Sequence, residues 1–275
     1  MKYNRLSDYN NIHLGKTIFI IGNGQQLDNL TPNQIYFLEN NISIGTNASY
    51  ISVESPYYIA GHMSVMLLTC HFPSKPSHKI FQGEPQHYPF PDEWNLISIA
   101  HQNIVGPPGF FPTTSDNQDM DREILVGAEN IGLSSTHLAC IMGASKIVYI
   151  GFDFKNNAHF YDINRTSYNK LKSNVEEILD IYSHDKFIHD DIIDYYNAHN
   201  LISPLTDERI SHLRTQEFLS ASTPVYNSML GKFTAAFNTF KQRNIEIIST
   251  QEDSIITEAG AKFVPLDIVL QNEKN

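Results

Sequence analysis

The chain has 275 residues, a hydrophobic fraction of 41% and a formal charge of −11, from 19 basic and 30 acidic residues. This length allows one large α/β domain with insertions, and the apolar fraction is sufficient for a core. The acidic excess argues against a general duplex-binding surface, because affinity for phosphates comes mainly from cationic contacts. The sequence shows neither a secretory apolar segment nor a run approaching ~18 apolar residues, so we expect a cytoplasmic protein without a membrane span.

Cysteine and histidine spacings give no metal signature. Cys70 and Cys140 lie in apolar segments without CxxC spacing, which is typical of small buried side chains. The twelve histidines include no HxxxH or HExxH, and His184 and His189, five apart, fall on different helix faces. We therefore predict no metal ligands and no cofactor.

The first predicted element is a buried strand, Thr17–Ile21, that runs into the turn Gly22-Asn23-Gly24. A glycine-bracketed turn can expose backbone N–H groups to an anion, which predicts a phosphate site. Leu27 occupies the third glycine position of the dinucleotide fingerprint, so NAD is not favoured. The alternative, that the glycines serve only the bend, stays open.

A capping box at Thr31 and Gln34 predicts a short helix. The strand predicted over residues 42–45 is followed by Asn47, at the strand end where open parallel sheets place ligands. Asn47 could therefore bond a base or ribose, or only cap the next turn.

A third strand, residues 57–60, leads to His62 and an apolar helix over residues 63–68. Eight of the thirteen prolines fall between residues 71 and 114. Short strands at residues 79–81 and 96–99 fit between them, and we interpret residues 83–120 as a lid or acceptor-side insertion. A structural excursion without ligand contact is the alternative.

The second organising segment covers residues 130–154. Ser134, Ser135 and Thr136 are predicted to cap a helix that Gly143 ends, followed by a strand over residues 146–150. The small residues Gly132, Ser134 and Ser135 at the helix start would let it approach an anionic or polar group. Asp153 follows the strand, where it is either a turn residue or a catalyst.

Residues 155–222 form a second predicted insertion, polar and largely helical, with its clearest helices at residues 171–182 and 190–199. Its acidic cluster includes Asp185, Asp190, Asp191 and Asp194, a composition usual for a solvated helix face. A last amphipathic helix is predicted to end at Asn244. The strand over residues 245–248 that follows it completes the predicted sheet.

These elements together resemble the bacterial sialyltransferases that act on lipooligosaccharide, the motility-associated-factor glycosyltransferases, and the archaeal pterin pyrophosphokinase-like group. The resemblance rests on a strand ending in GNG, an asparagine at a strand end about twenty-five residues later, and a helix leading into KIVYIGFDF. It covers residues 16–50, 130–162 and 232–258. It implies a single Rossmann-like α/β domain over residues 1–275, with a mostly parallel sheet, helices on both faces and the two insertions.

In that family the matching positions bind the donor, which implies donor-binding roles for Gly22, Asn23, Gly24, Asn47, Gly132, Ser134 and Ser135. The GxD motif matches at Asp153. Of the two tyrosines that hold the leaving phosphate, one matches Tyr161 and the other is replaced by Lys155. An ammonium group there would also neutralise phosphate.

The family's catalytic histidine has no match, because its position falls near Asn227 and an amide cannot take a proton at neutral pH. His62, His159, His189 and Asp153 are the alternative bases, and His159 is favoured slightly over His62.

The prediction is a metal-independent glycosyltransferase that uses a nucleotide sugar, with a CMP-nonulosonate favoured, and a glycan or other hydroxyl compound as acceptor. One alternative is a diphosphate-transferring pyrophosphokinase-like enzyme whose acidic cluster holds magnesium. Another is a nucleotide-binding module without catalysis. The net charge of the chain disfavours a nucleic acid as acceptor. The sequence leaves open whether the chain forms a homo-oligomer.

Overall fold

Nine parallel strands form one sheet in the computed structural model, which describes residues 6–74, 77–82, 94–100, 124–126, 130–153, 159–199, 201–215 and 224–274. The strands are β1 (Thr17–Ile21), β2 (Ser43–Thr46), β3 (Tyr57–Ala60), β4 (His78–Gln82), β5 (Trp94–Ala100), β6 (Ile124–Val126), β7 (Lys146–Ile150), β8 (Glu246–Ser249) and β9 (Lys262–Phe263). Their order across the sheet is β6-β5-β4-β3-β2-β1-β7-β8-β9.

Helices connect the strands and cover the sheet. The α-helices of the described residues are α1 (Pro32–Glu39), α2 (Met63–His71), α3 (Ile131–Ile141), α4 (Phe160–Ile163), α5 (Arg165–Ile181), α6 (Lys186–Ala198), α7 (Asp207–Thr215), α8 (Pro224–Gln242), α9 (Ile255–Glu258) and α10 (Leu266–Asn272). Short 3-10 helices cover Leu6–Tyr9, Gln25–Asn29 and Asn47–Ile51. None of these described helices is long and apolar enough to cross a bilayer.

The sheet is covered on both faces because its central strands are apolar on both faces. In β1, Ile18 and Ile20 pack into one core, with residues of α3, α8 and α9. Phe19 and Ile21 point the other way, into a second core with residues of α1, α2, α5, α6 and α10. Successive side chains of a strand alternate between faces, so a continuous apolar run needs helices on both sides. The α/β Rossmann-like fold predicted from the sequence is confirmed.

The strand predictions hold to within one or two residues. The strands at residues 17–21, 57–60 and 146–150 have the predicted bounds, and those at 42–45 and 245–248 are each shifted by one residue. Asn244 ends α8 in the left-handed region, with φ 61°. One prediction was wrong: the strand after α8 does not complete the sheet, because β9 pairs with it on the outside.

The second insertion is helical where it is described. The helix predicted over residues 171–182 begins earlier, at Arg165, because Asn164 caps it by accepting from the N–H of Ser167 at 3.0 Å. The helix predicted over residues 190–199 likewise begins after Asp185, which caps α6. Of the first insertion, residues 83–120, only β5 lies within the described residues. The lid prediction concerns residues outside them.

The connections place a topological switch point at β1. From β1 to β6 each strand is added on one side, and the chain then returns to add β7 on the other side of β1. In open parallel sheets, ligands bind at the carboxyl ends of strands where the order reverses in this way. The loops after β1 and β7 are therefore where a site is expected.

Candidate functional site

The loops after β1 and β7 are packed directly on each other. Gly22 donates its N–H to the carbonyl of Ile150, and Gly24 donates to the carbonyl of Gly151, both at 2.8 Å. A Cβ on Gly22 would lie 2.2 Å from the carbonyl oxygen of Gly151, and one on Gly24 would lie 2.8 Å from the same atom. These glycines permit a close approach of two backbones, and their N–H groups are used within the protein. Direct anion binding by these two amides, as the sequence suggested, is therefore not the role that the geometry supports.

Asp153 contributes to the same junction. Its carboxylate accepts the N–H of Gln25 at 3.2 Å, at the start of the 3-10 helix that follows the glycine turn. The side chain is 9% exposed. A carboxylate at a helix start satisfies N–H groups that would otherwise lack partners. Asp153 thus joins the β7 loop to the β1 turn, which makes it a positioning residue of the glycine turn.

Asn23 and Asn47 lie at adjacent strand ends with unused acceptors. The amide nitrogen of Asn23 donates to the carbonyl of Thr46 at 3.1 Å, and its backbone carbonyl accepts from Phe160 at 2.9 Å. The Oδ1 atoms of both asparagines are buried and have no hydrogen-bond partner among the described residues. Asn47 also has a φ of 48°, a left-handed conformation that asparagine adopts more readily than most residues other than glycine. Two unsatisfied acceptors at a switch point are suited to N–H or O–H groups of a ligand.

The start of α3 lies at the same edge but differs from its prediction. The cap is Asn130, whose side chain accepts from the N–H groups of Gly132 and Leu133, so the helix begins before the predicted cap at residues 134–136. Ser134 and Ser135 are fully buried and donate back to carbonyls of their own helix. The structure therefore gives both serines a place inside the protein rather than at an open surface.

Gly132 has a different role from the two serines. A Cβ at this position would lie 2.6 Å from the ring of Phe152, so the glycine lets α3 pack against the loop after β7.

A cluster of aromatic and titratable side chains lies beside the glycine turn. It is tied there by α4, whose first residue, Phe160, donates to Asn23. The members are His159, Tyr161, Asp162, Tyr195 and His199. Two segments forty residues apart therefore meet at this point, and two of the predicted catalytic residues, His159 and Tyr161, are among them.

His159 and Asp162 form the polar centre of the cluster. The Asp162 carboxylate accepts the backbone N–H of His159 at 2.9 Å and lies 3.0 Å from its Nδ1. The His159 ring stacks on Tyr161 with centroids 4.8 Å apart and an interplanar angle of 10°. The ring is thus fixed by a carboxylate on one edge and an aromatic ring on one face, while its side chain stays 42% exposed.

His199 closes the cluster from the end of α6. The centroid of its ring lies 4.3 Å from the ring centroid of Tyr195 and 5.5 Å from that of His159. Burial lowers the pKa of His199 to about 4, with further lowering by His159 and His62 and an opposing effect of Asp162. The ring is therefore neutral at pH 7. His62, another predicted residue, is exposed at the start of α2.

The two tyrosines keep their protons. Burial raises the pKa of Tyr161 well above its ordinary value, and the neighbouring Tyr195 and Asp162 raise it further. Burial likewise raises the pKa of Tyr195, with smaller effects of Tyr50 and Asp162 and an opposing hydrogen bond with Tyr161. Both phenols are therefore neutral at pH 7, and the hydrogen bond between them uses the proton of one of the two.

The acidic cluster of the second insertion does not converge on one point. Asp185 caps α6 by accepting from the N–H groups of Phe187 and Ile188, and Asp190 pairs with Lys186. Asp191 accepts the hydroxyl of Ser64 at 2.6 Å. Among the described residues, no group of three metal-binding side chains forms from these acids. The predicted magnesium site of the pyrophosphokinase-like alternative is not seen there.

Two residues of the cluster were missed by sequence reasoning. Asp162 and His199 were not singled out, although both face His159 in the fold. Asn227, where the resemblance places a catalytic histidine, is exposed in α8. Lys155, the second predicted phosphate ligand, lies outside the described residues.

Comparisons with protein-family models, with curated proteins and with solved structures found no match to the chain.

Proposed function

We propose that the chain is a glycosyltransferase that moves a sugar from a nucleotide-activated donor to an acceptor hydroxyl, with a CMP-linked nonulosonate as the favoured donor. The observation that carries the proposal is the His159–Asp162 pair beside His199, next to the switch point of the sheet. A histidine whose ring is oriented by a carboxylate is the usual arrangement of a general base.

The donor nucleotide is assigned to the ends of β1 and β2. The buried Oδ1 atoms of Asn23 and Asn47 require hydrogen-bond donors. A cytosine amino group and ribose hydroxyls are donors of this kind. Gly22, Gly24 and Asp153 would support this part of the site by fixing the backbone beneath it rather than by touching the phosphate.

The chemical step is assigned to the neighbouring cluster. Since Nδ1 of His159 faces Asp162, Nε2 is the ring atom that would take the proton of the acceptor hydroxyl as it attacks the anomeric carbon. The phenol of Tyr161 would donate to the departing phosphate, and Lys155 would supply a positive charge. His62, exposed at the start of α2, is the second candidate for the base. Positioning and hydrogen bonding would supply most of the rate enhancement.

The proposal is tested with a panel of CMP-, UDP- and GDP-sugars, measured by thermal shift and by donor hydrolysis. We expect a CMP-sugar to raise the melting temperature and to be hydrolysed. The variant His159→Gln should keep the thermal shift and lose roughly 10²–10⁴-fold in kcat, the usual contribution of a general base. His184→Gln, at an exposed position of the second insertion, is the matched control and should retain activity.

Other outcomes select other functions. Stabilisation by a nucleotide without turnover would favour a nucleotide-binding module. Activity that disappears on adding a chelator and returns with Mg²⁺ would favour diphosphate transfer. If no nucleotide or nucleotide sugar stabilises the protein, the glycosyltransferase proposal is refuted.

A further inference from the structure

Three metal-binding side chains converge in the cluster beside the glycine turn. His159, Asp162 and His199 each offer one ligand atom, and these atoms all lie within 4.8 Å of one another. His159 and Asp162 already contact each other, with Nδ1 of the ring 3.0 Å from a carboxylate oxygen. In the described part of the chain this is the one such group of three.

The distances suit a small transition-metal ion. With bonds of about 2.0–2.1 Å and tetrahedral angles, the ligand atoms of a zinc site lie roughly 3.3–3.5 Å apart. The longest separation would therefore need to shorten by about 1.5 Å at most, which is a small movement of the His199 side chain.

The chemistry of the ligands selects the class of ion. Two imidazole nitrogens and one carboxylate suit Zn²⁺ and its neighbours, whereas Mg²⁺ and Ca²⁺ prefer oxygen ligands. Three protein ligands also leave a coordination position open.

The surroundings hold these ligands in place. His159 and Asp162 are three residues apart, flanking and within α4, so they share one side of that short helix. The rings of Tyr161 and Tyr195 pack on His159 and His199 and limit their rotation. Ligands fixed in this way lose less conformational freedom when an ion binds.

We propose that His159, Asp162 and His199 form a three-ligand site for Zn²⁺, and that zinc binding inhibits the enzyme. With zinc at Nδ1 of His159 the ring proton would move from Nδ1 to Nε2, so Nε2 could no longer take the proton of the acceptor hydroxyl, and Asp162 would leave its role as orienting group. The inhibitory half rests on the proposed glycosyltransferase function, and the binding half does not.

Binding is measured on tag-free, full-length protein stripped with a chelator and dialysed. Zinc is titrated in competition with a chromophoric chelator, and Co²⁺ is added separately to record its visible spectrum. We expect one Zn²⁺ per chain, a tetrahedral Co²⁺ spectrum, and no competition from millimolar Mg²⁺. The variants His199→Gln and Asp162→Asn should each weaken zinc binding by more than about tenfold.

Two controls keep the result interpretable. His184→Gln removes an exposed histidine outside the cluster and should bind zinc like the unchanged protein. Circular dichroism identifies any variant that fails to fold. Asp162 also accepts a backbone N–H, so Asp162→Asn is the variant more prone to unfold. If it fails to fold, His199→Gln alone tests the site. Zinc binding that is absent, or unchanged in the folded His199→Gln variant, overturns the site.

Activity separates the two proposals. If the unchanged protein hydrolyses a nucleotide sugar, zinc should suppress this hydrolysis and the chelator should restore it. Hydrolysis without any zinc effect would overturn the inhibitory half alone. Zinc binding by a protein that uses no nucleotide sugar would refute the glycosyltransferase proposal and leave the metal site standing.

Discussion

The contact between the glycine turn and the loop after β7 predicts that Gly22→Ala destabilises the protein strongly for a single methyl group. The new Cβ would lie 2.2 Å from the carbonyl oxygen of Gly151 and 2.8 Å from the ring of Phe152. A backbone oxygen cannot rotate away as a side chain can, so the two strand ends must separate. The substitution therefore acts on the junction that positions the candidate site.

Two costs add to the predicted magnitude. Forcing an extra methyl group into a packed region costs about 1–3 kcal/mol. Separation of the strand ends also weakens the hydrogen bond from Gly22 to Ile150, 2.8 Å long, which contributes about 1 kcal/mol. The free energy of unfolding should fall by about 2–4 kcal/mol, and at roughly 2 °C per kcal/mol for a domain of this size the melting temperature should fall by about 4–8 °C.

Gly231→Ala is the matched control for this measurement. Gly231 lies exposed in α8, and a Cβ there would meet nothing within 4 Å. Alanine is a better helix former than glycine, so this variant should be neutral or stabilised by up to about 1 kcal/mol. Urea unfolding and thermal scans of both variants make the comparison. If Gly22→Ala unfolds no earlier than Gly231→Ala, the close approach of the two loops is not a feature of the folded protein.

Two further predictions concern stability away from the site. Thr31→Ala should lower the free energy of unfolding by about 1 kcal/mol in urea titrations, because the hydroxyl accepts from the N–H of Gln34 at the start of α1; an unchanged midpoint would contradict the capping role. Burial, with a smaller effect of Arg243, lowers the pKa of His137 to about 4. Above about pH 6.5 the ring is neutral in both the folded and the unfolded protein. Between about pH 6.5 and 4 only the unfolded chain takes up the proton, so the free energy of unfolding should fall by about 3 kcal/mol as the pH falls. A His137→Gln variant, which does not titrate here, should lose less stability over this pH range than the unchanged protein. If the unfolding free energies of the two proteins fall in parallel, the assignment to His137 is refuted. The pKa of His199 is shifted in the same direction, but His199 is present in both proteins, so its contribution cancels in the comparison.

The fold could be predicted from the sequence because its signals are local. The run from Ile18 to Ile21 is apolar throughout, and such a run in a parallel sheet is covered on both faces. The capping box of α1 is complete within four residues, Thr31 to Gln34. The outer strand β9 was missed because it has two residues, and both are exposed. So short a strand carries no periodic pattern.

The candidate site was predicted only in part, because its centre is formed by the tertiary fold. His159 was selected from its position after β7 and Tyr161 from the family resemblance, and the two rings do lie together. His199 is forty residues from His159, and no spacing rule connects them. The two glycines were read as an anion site because a turn that needs glycine for close packing has the same sequence as one that binds phosphate.

The switch point also has a consequence for how the chain is made. Strand β1 pairs with β7 from Thr17 to Lys146, a separation of about 130 residues, so one edge of β1 has no partner until the second half of the chain emerges. At typical synthesis rates this interval is on the order of ten seconds. During that time a row of free N–H and C=O groups on an apolar strand is open to other chains. The nascent polypeptide should therefore need protection from aggregation until residue 150 has left the ribosome, and pairing over this distance should make the closing step of refolding slow.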